Sequence, residues 1–77
     1  MNTDVTEITQ VKTKCAEIVT QLIENRKQSG TSQEDCADQL GVSRKKLSEF
    51  ENGNFDFDLF LKYCYFMGID IKITYNL

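Results

Sequence analysis

Histidine and proline are both absent from this 77-residue chain, and each absence narrows what it can do. Without histidine there is no imidazole to act as a base near neutral pH or to supply the commonest nitrogen ligand for zinc. Without proline no rigid linker divides the chain, which reads as a single domain over 1–77 with no repeat or low-complexity run. Cysteine is sparse: Cys15, Cys36 and Cys64 are widely spaced and form no CxxC pair. A fourth zinc ligand would have to be a carboxylate, and all of these thiols fall among apolar neighbours at helical positions. They read as reduced core residues. There is no phosphate-binding glycine loop and no GxSxG motif, and the carboxylates are scattered, so neither an enzyme nor a cofactor nor a metal is expected. No apolar run approaches the roughly 18 residues of a membrane span. The opening MNTDVTEITQ lacks the basic start and apolar stretch of a signal peptide. The expected location is the cytoplasm, with no membrane partner.

What is present has the balance of a globular protein, 40% apolar and 27% charged. A domain of this size buries only about 60% of the surface its unfolded chain exposes, so the core is limited. The formal net charge of −3 weighs against nucleic acid, whose partners are usually basic. The cations are unevenly placed, however: Lys12, Lys14, Arg26, Lys27, Arg44, Lys45 and Lys46 precede residue 47, and the last three are consecutive. Such a cluster acts at contact range even in an acidic chain, while long-range steering toward DNA stays weak.

Period and caps divide the chain into helices. Asp4 and Glu7 have capping-box spacing. After them Ile8, Val11, Cys15, Ile18 and Leu22 alternate steps of three and four, widened by Val19 and Ile23, predicting an amphipathic helix to about Lys27 that ends at Ser29-Gly30. That narrow stripe fits packing within the domain, with a short coiled coil to another chain as the alternative. Ser32 caps a second helix with Glu34 and Asp35 in its first turn and Cys36, Ala37 and Leu40 inward; Gly41 ends it. Val42 leads into Ser43, the cap of a third helix that buries Leu47 and Phe50 and closes at Asn52-Gly53. NFDFD follows as a loop, with Asp56 or Asp58 capping a fourth helix that carries Leu59, Phe60, Tyr63, Cys64 and Met67 and ends at Gly68. From residue 69 the period becomes two: Ile69, Ile71, Ile73 and Tyr75 alternate with polar residues, as in a half-buried strand. A lone strand needs a pairing partner, and the same strand of a second copy supplies one about a two-fold axis. A tail folded over the helices is the alternative.

The third helix is where the cations collect. Arg44, Lys45 and Lys46 sit in its first turn, the partly positive end of the helix dipole, where stability alone would not place them. Cys36, Ala37, Leu40, Gly41, Val42, Leu47 and Phe50 together form the pattern of two helices crossing closely through a sharp turn, the helix-turn-helix of core 32–53. On a helical wheel Lys45, Ser48, Glu49 and Asn52 point away from Leu47 and Phe50, flanked by Arg44 and Lys46. That outward face is the one a major groove receives. Arg44 and Lys45 can donate to guanine O6 and N7, and Glu49 can accept from cytosine N4; Lys46, on the flank, suits a phosphate.

The stretch SQEDCADQLGVSRKKLSEFENG resembles the Cro/CI-type (XRE) helix-turn-helix family, with a polar SQ opening helix two, GVS before the recognition helix and ENG closing it. The resemblance covers about residues 16 to 68. It implies a mainly α, lambda-repressor-like domain of four helices, here with one C-terminal β-strand over 69–75 pairing across a homodimer through Ile69, Ile71, Ile73 and Tyr75. It also implies that Gln33 grips the DNA backbone, that Asn52 lies near a second backbone contact, and that Arg26 and Glu51 form a structural pair. The candidate DNA-binding set is therefore Gln33, Ser43, Arg44, Lys45, Lys46, Ser48, Glu49 and Asn52. The chain departs from the family in NFDFD, where many members have proline and serine, so that two acids lie near the DNA side and repel phosphate.

The expected function is a sequence-specific transcriptional regulator, a repressor binding double-stranded DNA as a homodimer on a palindrome. No residues are left over for an effector domain. The alternative is a protein-interaction module, the antitoxin of a toxin–antitoxin pair, because small members of this family with a C-terminal strand often bind a toxin and repress their own operon.

Overall fold

Every apolar rhythm up to Gly68 becomes a helix. The computed structural model describes residues 5–70, and these contain α1 (Val5–Gln28), α2 (Gln33–Leu40), α3 (Arg44–Glu51) and α4 (Phe57–Met67). Asp4, the capping residue expected to pair with Glu7, and all of the predicted strand beyond residue 70 lie outside the described residues. No helix among the described residues is long and apolar enough to cross a membrane.

The caps hold each helix where the sequence puts it. Ser32 Oγ accepts from the Asp35 N–H at 3.1 Å, and Ser43 Oγ from the Lys46 N–H at 3.1 Å. Asp56, rather than Asp58, caps α4: its Oδ1 accepts from the Leu59 N–H at 2.9 Å, which leaves Asp58 in the first turn. Between α2 and α3 the chain reverses at Gly41, whose φ of 72° lies in the left-handed region that L side chains avoid. There the Val42 N–H returns to the Ala37 carbonyl at 3.0 Å, which satisfies a carbonyl left over at the helix end.

The core comes from all of the helices. Leu22 of α1, Cys36, Ala37 and Leu40 of α2, Leu47 and Phe50 of α3, and Leu59, Phe60, Tyr63 and Cys64 of α4 are buried together. α2 packs on α3 and α4, while α1 lies across α4 and α3. Ala37, 1% exposed, is the small residue that lets the helices approach. Rings close the far side: Phe50 and Phe60 flank Phe55, with centroids 5.9 and 5.2 Å away, and fasten the 52–56 loop to both α3 and α4.

The α1 stripe is used unevenly. Leu22 is fully buried, while Cys15, Ile18 and Val19 pack partly on the core and Ile8 remains 41% exposed. Cys36 and Cys64 are buried and unbridged; burial pushes both thiols above their ordinary pKa, so they behave as small apolar residues. Ile69, expected in an intermolecular strand, instead packs partly against this chain's own core, and its N–H donates to the Cys64 carbonyl at 2.9 Å. A Schellman-type ending of α4 explains this: the apolar residue after the glycine folds back on the helix it terminates. Among the described residues no strand is present.

Candidate nucleic-acid interface

α3 is closed on one face and bare on the other. Leu47 and Phe50 are 0% and 2% exposed, whereas Arg44, Lys45, Lys46, Glu49 and Asn52 are exposed and Ser48 is half-buried. The expected reading face is thus brought together on one helix. Arg44, Lys45 and Glu49 make no side-chain hydrogen bond or ion pair with any described residue. Asn52 is occupied locally: its Nδ2 donates to the Ser48 carbonyl at 2.8 Å. Ser43 is committed to the cap and stays at the exposed entry to the helix.

The orientation of that helix is set by a buried polar cluster at its far end. Arg26 and Glu51 form the expected pair in a two-point geometry, Nε to Oε2 at 2.9 Å and Nη2 to Oε1 at 2.8 Å. Their side chains are only 8% and 5% exposed. Nη1 of Arg26 donates to the Thr31 carbonyl at 3.0 Å, the Tyr63 hydroxyl to Glu51 Oε2 at 2.8 Å, and Gln33 Nε2 to Glu51 Oε1 at 3.0 Å. A single carboxylate therefore ties the end of α3 to α1, to the start of α2 and to α4. Burial alone would raise the Glu51 pKa; the hydrogen bonds from Arg26, Gln33 and Tyr63 outweigh it and hold the carboxyl below its ordinary value. The Arg26 pKa is raised by its bond to Glu51, and that of Tyr63 is driven far upward by burial and by donating to the same carboxylate. No buried polar side-chain atom among the described residues lacks a partner.

Gln33 and Tyr63 are members of this cluster that the sequence pattern did not assign. Tyr63 read as one more apolar position on α4, although a buried hydroxyl must find an acceptor, and that is the signal which could have revealed it. Gln33, expected on the DNA backbone, spends one amide hydrogen on Glu51; the second hydrogen of the same NH₂ is what it has to offer a phosphate.

Lys46, expected to meet phosphate, is also engaged. Its Nζ lies 2.9 Å from Asp56 Oδ2, an exposed ion pair that raises the lysine pKa and, together with the α4 cap, lowers that of Asp56. A shallow cleft of about 330 Å³ runs beside them, between the outer side of α3 and the 52–56 loop. On the other side of α3 an open apolar groove of about 1070 Å³ is lined by Val11, Cys15, Val19 and Ile23 of α1 and by Phe55 and Phe57. Large apolar side chains continue onto the outer surface of α4, where Phe57 is 58% and Tyr65 89% exposed. Of the expected dimer residues only Ile69 is described, and it is half-buried in its own chain; Ile71, Ile73 and Tyr75 lie outside the described residues.

A family model described as helix-turn-helix, of the Cro/CI (XRE) type, matches residues 22–72. The match begins within α1 and runs past the end of α4. No curated protein and no solved structure matches the chain.

Proposed function

Because the chain belongs to the Cro/CI-type helix-turn-helix family of DNA-binding transcriptional regulators, we propose that it is a repressor working as a homodimer on a palindromic operator. The observation that carries this reading is the bare, cationic face of α3, held out by a buried polar anchor at the opposite end of the helix. Arg44 and Lys45 read guanine edges and Glu49 accepts from cytosine. Lys46, Gln33, Ser43, Ser48 and Asn52 position the helix on the sugar-phosphate backbone. Two copies related by a two-fold axis set their α3 helices about 34 Å apart, so the half-sites lie one helical turn apart. Such a protein represses by occupying the promoter.

Single substitutions test the base-reading roles. Arg44→Ala or Lys45→Ala each costs about 1–3 kcal/mol on the cognate site and relaxes one base position. Anisotropy titrations against a panel of single-base operator variants read both effects. If either variant keeps both its affinity and its base preference, that residue does not read a base.

The apolar groove between α1 and Phe57, with the exposed Tyr65, supports a second reading, that of an antitoxin. A surface of this kind serves protein contact rather than DNA. Co-expression with the product of a neighbouring gene distinguishes the two: stoichiometric co-purification supports the antitoxin, and a chain that purifies alone and binds its operator unaided supports the regulator.

A further inference from the structure

We propose that Asp56 competes internally for the phosphate contact of Lys46, and thereby sets DNA affinity below what the cation cluster of α3 would otherwise give. The proposal rests on the reading of α3 as the DNA-contacting helix. Its basis is the double use of one carboxylate. Oδ1 caps α4 by accepting from the Leu59 N–H, and Oδ2 receives Lys46 Nζ, each at 2.9 Å. Capping fixes where the carboxylate sits, so the flexible lysine is drawn to it. The loop is fixed as well, because Phe55 lies between Phe50 and Phe60 immediately before Asp56.

Stability does not account for a full negative charge at this position. An N-cap needs one acceptor oxygen, which serine or asparagine supplies as well. The helix dipole already has Asp58 in the first turn of α4. The pair with Lys46 is solvent-exposed, and exposed pairs add little to folding. What the charge does change is the surface offered to DNA. Of the three cations at the start of α3, Arg44 and Lys45 have no acidic partner among the described residues, and Lys46 has one. A phosphate arriving at Lys46 must displace Asp56 or lie beside it, and either route offsets one ionic contact. Affinity is thereby limited at a backbone contact, where the loss falls equally on every sequence and base discrimination is untouched.

The test compares the full chain with Asp56→Asn, which keeps an acceptor for the cap and removes the charge. Anisotropy titration on a random-sequence duplex suffices, since a phosphate contact is independent of sequence. The variant is expected to bind on the order of fivefold more tightly, with a salt slope steeper by about 0.9, so that its advantage grows about threefold between 200 and 50 mM salt. Asp58→Asn, which removes an acid two residues away, should give a smaller gain. In a Lys46→Met background the gain from Asp56→Asn should shrink to the size of the Asp58→Asn gain, whereas a general change in surface charge would survive in full. Thermal melting confirms that each variant folds. Equal affinity and slope for wild type and Asp56→Asn, or a gain that is undiminished without Lys46, overturns the proposal while DNA binding stands. If the folded wild type and Asp56→Asn both fail to bind any duplex at low salt, the DNA reading falls and this proposal falls with it.

Discussion

Glu51 is the residue on which the geometry of the reading helix depends most visibly. It accepts from Arg26, Gln33 and Tyr63 within a nearly dry cluster, so removing it strands a guanidinium that is only 8% exposed. Breaking a buried pair from one side costs about 3–5 kcal/mol, and Glu51→Ala should lose that much in urea unfolding. Replacing both partners by apolar residues of similar volume should cost far less, because no uncompensated charge remains. The pH dependence follows from the same group. The folded-state pKa of Glu51 lies below its ordinary value of 4.5, so its contribution is complete above that value and is lost as pH falls through the lower, folded one. The urea midpoint of the wild type should therefore decline as pH is lowered through and below 4.5, more steeply than that of Glu51→Gln; parallel curves would contradict this. The pairing of Arg26 with Glu51 was legible because both stand at places the family resemblance marks. Gln33 and Tyr63 were not, since a local pattern says which face a residue occupies but not which distant side-chain tip it reaches.

At the scale of the element, the turn between α2 and α3 offers a separable prediction. A Cβ built on Gly41 meets no atom within 4 Å, so Gly41→Ala pays only for holding a left-handed φ. That cost is about 1 kcal/mol, which in a domain of this size lowers the melting temperature by about 4–8 °C. Gly41→Asn should lose less, because asparagine tolerates this conformation better. A neutral Gly41→Ala would mean that the turn does not need its present form. Helix boundaries were highly legible: Ser32, Ser43, Gly41 and Gly68 act as the sequence indicates. The choice between Asp56 and Asp58 as the α4 cap was not, because both acids precede the same apolar run and only the tertiary position of the loop separates them. The pair between Lys46 and Asp56 was hidden for the same reason. It joins the start of one helix to the cap of the next, a distance no periodicity spans.

For the whole molecule, charge and assembly govern how an acidic chain engages DNA. With a net charge of −3 and one of its clustered cations tied to an acid, the domain offers few phosphate contacts, and its affinity should fall only gently with salt. Ile69 packs on its own chain, so the dimer expected through residues 69–75 depends on Ile71, Ile73 and Tyr75. Truncation after Gly68 should give a monomer by light scattering. A dimer that survives truncation would move the interface to the apolar groove of α1 and Phe57. In the proposed complex the bare face of α3 reads the base sequence. Its most direct test is selection from a random DNA pool with the purified chain, run beside an Arg44/Lys45/Lys46 triple-alanine variant. The wild type should enrich an inverted repeat that the variant fails to recover; a pool left unenriched by the wild type at low salt, or enriched alike by both proteins, would mean that α3 does not read sequence.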